Sequence, residues 1–144
     1  MAYWDTSALL KLYVTESDSP YFDSLAETSE PIFSSEIVIP ETLCALHRKE
    51  HSGDLRRGGA RTVFRKFSAD IDAGRIVTIP YGRDVIAEAQ KVVALAYGRP
   101  KPFLIRSLDV IHIASAVVSK ARALIATDTR LREAAALVGL DLIP

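Results

Sequence analysis

Four carboxylates interrupt apolar stretches of this chain. Asp5 follows "AYW" and precedes "TSALL", Glu41 falls within "IVIPETLCAL", Asp109 within "SLDVIHIASAVV", and Asp128 follows "LIAT". Each has a local structural reading. Asp5 and Asp128 suit N-caps or Asx-turns between a strand and a helix, and Glu41 is a first-turn acid after Pro40. If Ser107 caps its helix, Asp109 lies in the first turn, where the dipole favours an acid by about 0.3–1 kcal/mol, with Arg106 as a pairing partner. Together the four imply more. Apolar residues surround the Asp109 segment, and a buried carboxylate without a partner costs several kcal/mol. Clustered acids repel, which raises their pKa values unless a cation stands between them. An oxygen-only donor set, with one cysteine and no His-x-His pattern, suits Mg²⁺ or Mn²⁺ rather than zinc. Magnesium completes its shell with waters and substrate phosphate oxygens, so the expected chemistry is phosphodiester hydrolysis.

On this reading Asp5, Asp109 and Asp128 hold one or two divalent ions, and Glu41 ligates or orients the attacking water. Repulsion among the acids predicts that Asp109→Asn is neutral or stabilising in the absence of the ion. Thr6 and Thr127 flank two of the aspartates and are candidates to bond phosphate or metal water, although hydroxyls in such turns commonly cap helices. Ser7 is read as the cap of the first helix. Arg99, Lys101 and Arg106 lead into the Asp109 helix and are the candidate substrate contacts. Arg57, Arg61 and Arg65 recur at i, i+4 spacing, either as a solvated face or as a stripe for RNA or an acidic partner segment. His112, one turn after Asp109, is read as a core histidine bonded to backbone or a neighbouring side chain, in a position that permits orientation of Asp109. Tyr3, Trp4 and Tyr13 are read as core filler, with base stacking as the alternative. Cys44, among Leu43, Ala45 and Leu46, is read as a packed thiol.

The elements that must carry these residues alternate. Short apolar runs at 2–4, 32–33, 75–79, 123–126 and 140–143 predict strands. Helical periodicity covers 7–14, 20–27, 35–51, 55–72, 83–97, 106–120 and 129–138, with Gly53, Gly74, Gly98 and Gly139 at expected helix ends. This alternation predicts an α/β domain, three layers with a mostly parallel central sheet of four to five strands, formed by residues 1–144 as a single unit. Ligands of such sheets bind outside the carboxyl ends of the strands, where Asp5 and Asp128 would project.

Bulk properties narrow the partners. Eighteen acidic and 18 basic side chains give zero formal net charge, so a polyanion must be met by a local patch rather than a basic coat. No run reaches the roughly 18 apolar residues of a membrane span and the start lacks a signal-peptide pattern, so a cytoplasmic location is expected.

The segments "YWDTSALLKLY", "PETLCALHRKE", "IRSLDVIHIASA" and "ATDTRLREAAALVGL" stand in an order that resembles the PIN-domain ribonucleases, specifically VapC-type toxins. The resemblance spans nearly the whole chain, with no signature over 55–74. It implies a PIN-like α/β/α fold and Mg²⁺- or Mn²⁺-dependent endoribonuclease activity at Asp5, Glu41, Asp109 and Asp128. It further implies a homodimer neutralised by a VapB-type antitoxin. The alternatives are a catalytically idle PIN-like binding or regulatory module and a metal-dependent DNA nuclease, since nothing here reads the 2′-hydroxyl. A phosphoacceptor domain would need an aspartate at the end of a central strand, and Asp54 follows no apolar run.

Overall fold

The computed structural model describes residues 1–28 and 31–144. Five strands, β1 (Ala2–Trp4), β2 (Ile32–Ser35), β3 (Ile76–Ile79), β4 (Ala123–Ile125) and β5 (Asp141–Ile143), form one sheet in the order β3-β2-β1-β4-β5. Every pairing is parallel. The helices are α1 (Thr6–Leu10), α2 (Ser19–Glu27), α3 (Val38–Ser52), α4 (Gly59–Asp72), α5 (Arg83–Tyr97), α6 (Ser107–Val118) and α7 (Thr129–Leu137).

Strand alternation sorts the core into two apolar layers. Tyr3 and Leu124 point to one face, where Val92 of α5, Val110 and Ile113 of α6 and Leu131 of α7 close over them. Trp4 and Ile125 point to the other, against Leu9 of α1, Phe22 of α2, Val38 of α3 and Phe67 of α4. Side chains this fully buried contribute about 1.5–3 kcal/mol each by leaving water. Burial on both faces explains why β1 and β4 read as unbroken apolar runs. The expected three-layer α/β/α architecture is therefore present.

Several boundaries differ from the sequence expectation. The 7–14 periodicity is α-helical only to Leu10. Beyond it the amides of Lys11, Leu12 and Tyr13 bond the carbonyls three residues back, tightening the chain into turns that keep the same face inward. The helix expected from residue 55 starts at Gly59, because Gly58 adopts φ +80°, outside the helical region. The helix expected from residue 35 starts at Val38, since Ser34 and Ser35 extend β2, with the Ser34 hydroxyl on the Trp4 carbonyl at 2.8 Å. Gly53 ends α3 at φ +90°, a left-handed conformation glycine adopts without strain.

The order of the sheet decides where a ligand can sit. From β1 the chain builds outward through β2 and β3, then crosses back to lay β4 and β5 on the other side. The strand order thus reverses between β1 and β4, which opens a crevice at their carboxyl ends. Asp5 follows one of these strands immediately and Asp128 follows the other after two residues.

Candidate active site

Asp5, Glu41, Asp109 and Asp128 line one cleft of about 1030 Å³ over that crevice. Asp5 is the N-cap of α1, accepting the Ala8 amide at 3.0 Å. Asp128 is the N-cap of α7, accepting the amides of Arg130 and Leu131. Glu41 occupies the first turn of α3 and Asp109 the first turn of α6. Their local structural roles and their convergence are therefore both real: helix starts aimed at the strand ends bring all four to one place.

Their partners differ. The Arg106 guanidinium bridges two acids, bonding Asp109 through Nε at 2.6 Å and Nη2 at 3.0 Å, and Asp128 through Nη2 at 2.9 Å. Glu41 Oε1 accepts from the Thr6 hydroxyl at 2.6 Å and lies 2.6 Å from His112 Nε2, while Oε2 takes no hydrogen bond among the described residues. Among the described residues no basic side chain is bonded to Asp5. The Ser7 hydroxyl, 2.8 and 2.9 Å from its two oxygens, supplies the remaining bond. Ser7 in turn accepts from both the amide and the hydroxyl of Thr127, tying the exit of β4 to the start of α1.

These environments separate the acids electrically. Burial pushes the Asp5 carboxyl up, against the hydrogen bonds of the Ala8 amide and the Ser7 hydroxyl. Burial also acts to raise Glu41, but the His112 and Thr6 hydrogen bonds and the charge of Arg106 outweigh it and hold the group below its usual range. Asp128 is likewise held down, its burial outweighed by the Arg106 bond and the amides of Leu131 and Arg130. Bonds to Asp109 and Asp128 raise the Arg106 guanidinium further, fixing its charge.

Among the described residues no three carboxylate, histidine or cysteine side chains stand close enough, as arranged, to enclose a metal ion. The donor chemistry nevertheless fits a hard divalent cation. A buried carboxylate with no basic partner among the described residues faces the cleft, and beside it two more acids are already bridged by one positive group, Arg106. The fit requires Arg106 to yield its place.

The PIN-domain family model matches residues 2–137. The chain belongs to the PIN-domain family. This PIN domain is 33% identical, over 144 aligned residues, to Ribonuclease VapC46 of Mycobacterium tuberculosis (strain ATCC 25618 / H37Rv), covering 98% of this chain and 95% of that protein. Its fold is similar to that of a chain in the crystal structure of VapBC2 from Rickettsia felis bound to a DNA fragment from their promoter. The TM-score is 0.68 at 14% identity, with 99% of this chain and 98% of that one covered.

Other residues of the PIN domain fall less uniformly. Of the candidate substrate contacts, Thr6 and Arg106 line the cleft and Thr127 borders it through Ser7. Arg99 lines a separate hollow with Glu133 and Leu137, towards the far end of α7, and Lys101 is exposed on the α5–α6 connection. Arg57, Arg61 and Arg65 are exposed, with Arg57 ahead of α4 rather than on it. Three assignments need correction. Ser107 is the first residue of α6 and Arg106 its N-cap, because Arg106 keeps the extended backbone (ψ 149°) that turns its side chain back onto Asp109. Ser7 is not the cap of α1; Asp5 is. Cys44 is exposed rather than packed, since it lies on the face of α3 that borders the cleft while Leu46 takes the core. Sequence reasoning missed Arg48 and Lys49, which line the cleft seven and eight residues after Glu41. The helical period from Glu41 carried that signal.

No helix among the described residues is long and apolar enough to cross a membrane.

Proposed function

We propose that this PIN domain is a Mg²⁺- or Mn²⁺-dependent endoribonuclease acting as a VapC-type toxin, a homodimer in the cytoplasm neutralised by a VapB-type antitoxin. The observation that carries the reading is the meeting of four acids at the sheet's reversal point, one of them buried with no basic partner among the described residues. The 33% identity to a protein named as a VapC ribonuclease supports RNA as the substrate.

Asp5, Asp109 and Asp128 would hold the ion. When bound, it supplies charge neutralisation at the scissile phosphate and a water of lowered pKa. Glu41 is poised as the base: its carboxyl is held ionised, Oε1 is anchored by Thr6 and His112, and Oε2 is free to take a proton from the attacking water. Arg106, released from Asp109 and Asp128, carries a fixed charge on a side chain long enough to follow the phosphate, and Arg48 extends the positive wall.

Incubation of purified protein with total RNA and with single-stranded DNA, in Mg²⁺, Mn²⁺ or EDTA, tests this directly. RNA cuts that require the divalent ion are expected, and co-expression with a neighbouring small reading frame should suppress them. DNA cleavage alone, or no cleavage of either polymer, overturns the reading.

A further inference from the structure

A buried polar chain runs from the centre of the sheet to the base. Tyr3, on β1, is fully enclosed, and its hydroxyl accepts the Ser35 amide of β2 at 2.9 Å. The same hydroxyl lies 2.7 Å from His112 Nδ1, the ring lies edge-on to the tyrosine, and His112 Nε2 stands 2.6 Å from Glu41 Oε1. Three elements, β1, α6 and α3, are thereby joined through one imidazole.

Proton positions follow from donor counting. With its acceptor side taken by the Ser35 amide, the Tyr3 hydroxyl has one proton to place, and Nδ1 is the acceptor it meets at hydrogen-bond distance. Nδ1 therefore accepts, the ring carries its proton on Nε2, and that N–H points at Glu41. We infer that Tyr3 and His112 are positioning residues for the reaction proposed above: Tyr3 donates to His112 Nδ1 and holds the ring in place, and His112 Nε2–H fixes Glu41 Oε1 so that Oε2 faces the attacking water. His112 thus orients Glu41 rather than Asp109.

This inference rests on the nuclease reading for its consequence, but not for its geometry, so the two can fail separately. Nitrogen-15 NMR of the histidine rings at neutral pH should find His112 as the single Nε2–H tautomer, and Tyr3→Phe should shift the Nδ1 resonance by removing the donor to that nitrogen. An Nδ1–H ring in the parent, or an unchanged ring in Tyr3→Phe, overturns the assignment whether or not RNA is cut. In the cleavage assay, His112→Leu should lower kcat roughly 10- to 100-fold with KM for RNA unchanged, the size of loss expected for a misplaced catalytic group. His112→Gln places an amide N–H near the Nε2 position and should recover kcat to within about fivefold of the parent. Far-UV circular dichroism checks that each variant is folded, and Tyr3→Phe gives an independent arm should His112→Leu fail to fold. Full kcat in His112→Leu, or a Gln variant no better than Leu, overturns the positioning role, whereas absence of metal-dependent cleavage in the parent overturns the nuclease reading alone.

Discussion

At the residue scale, Asp5 and Asp109 have exchanged the parts that repulsion alone would assign them. Asp109 is held by Arg106, so neutralising it leaves a guanidinium with one partner fewer. Asp5 is the buried acid with no basic partner among the described residues, and its carboxyl is pushed up by burial. A group whose folded pKa exceeds its unfolded value of about 3.9 contributes stability below that value and loses it as pH rises through the folded one. Asp5→Asn should therefore match the parent in melting temperature near pH 4 in EDTA and exceed it increasingly towards pH 7. Each kcal/mol gained is worth roughly 3–5 °C in a domain of this size. The same variant should lose metal-dependent cleavage. A parent that stays the more stable at pH 7 would mean that Asp5 is satisfied without a cation. Arg106 gives the complementary case. It is half exposed, so its two ion pairs together stabilise by no more than about 1 kcal/mol. Arg106→Gln should cost a few degrees without metal yet tighten Mg²⁺ binding several-fold by calorimetry, because the bridging place is vacated. Weaker Mg²⁺ binding in that variant would show that Arg106 does not compete for the cation's position.

At the element scale, the helices do more than support the acids, and α3 makes this plainest. Glu41, Cys44, Arg48 and Ser52 recur at helical spacing along one face and line the cleft for the length of the helix. Arg48 makes no ion pair among the described residues, so it is available to a polyanion. Arg48→Ala should raise KM for RNA several-fold, leave kcat nearly unchanged, and reduce the salt dependence of binding by about one phosphate contact. A fall in kcat at constant KM would place it with the chemistry instead. The same helix explains what the sequence could reveal. Strand and helix alternation, the exit of β1 into Asp5 and the exit of β4 towards Asp128 were legible, because both central strands are buried on two faces and leave uninterrupted apolar runs. Side-chain choices between elements were not. Nothing local tells whether Arg106 reaches one acid or two, or that Ser7 joins α1 to the β4 exit instead of capping. Cys44 misled because apolar neighbours on a helix lie about 100° apart and need not share its face. Arg99 and Arg106 look alike in sequence, yet the connection after α5 must climb the height of the sheet before α6 begins, which leaves Arg99 near the far end.

At the scale of the whole molecule, the acids draw on distant parts of the fold: Asp5 on β1 and α1, Glu41 on α3, Asp109 on α6 and Asp128 on β4 and α7. A cation bound between them would fasten both helical layers to the sheet, and an unfolded chain could not reproduce the site. Binding to the native state alone raises stability by mass action, about 2.7 kcal/mol when the ion stands at a hundred times its dissociation constant. Mg²⁺ should accordingly raise the melting temperature of the parent in a saturable way, and NaCl at matched ionic strength should not, since screening acts on exposed charges without discriminating between ions. Asp5→Asn should lose most of the Mg²⁺ shift. The effect should also fade in acid, because protons compete for the same oxygens. Glu41 and Asp128, held low by their partners, contribute stability above their unfolded values of about 4.3 and 3.9 and surrender it as pH falls through the lower folded ones. Equal shifts from Mg²⁺ and NaCl, or a Mg²⁺ shift preserved in Asp5→Asn, would mean that the cleft gathers carboxylates without binding the ion that the proposed cleavage requires.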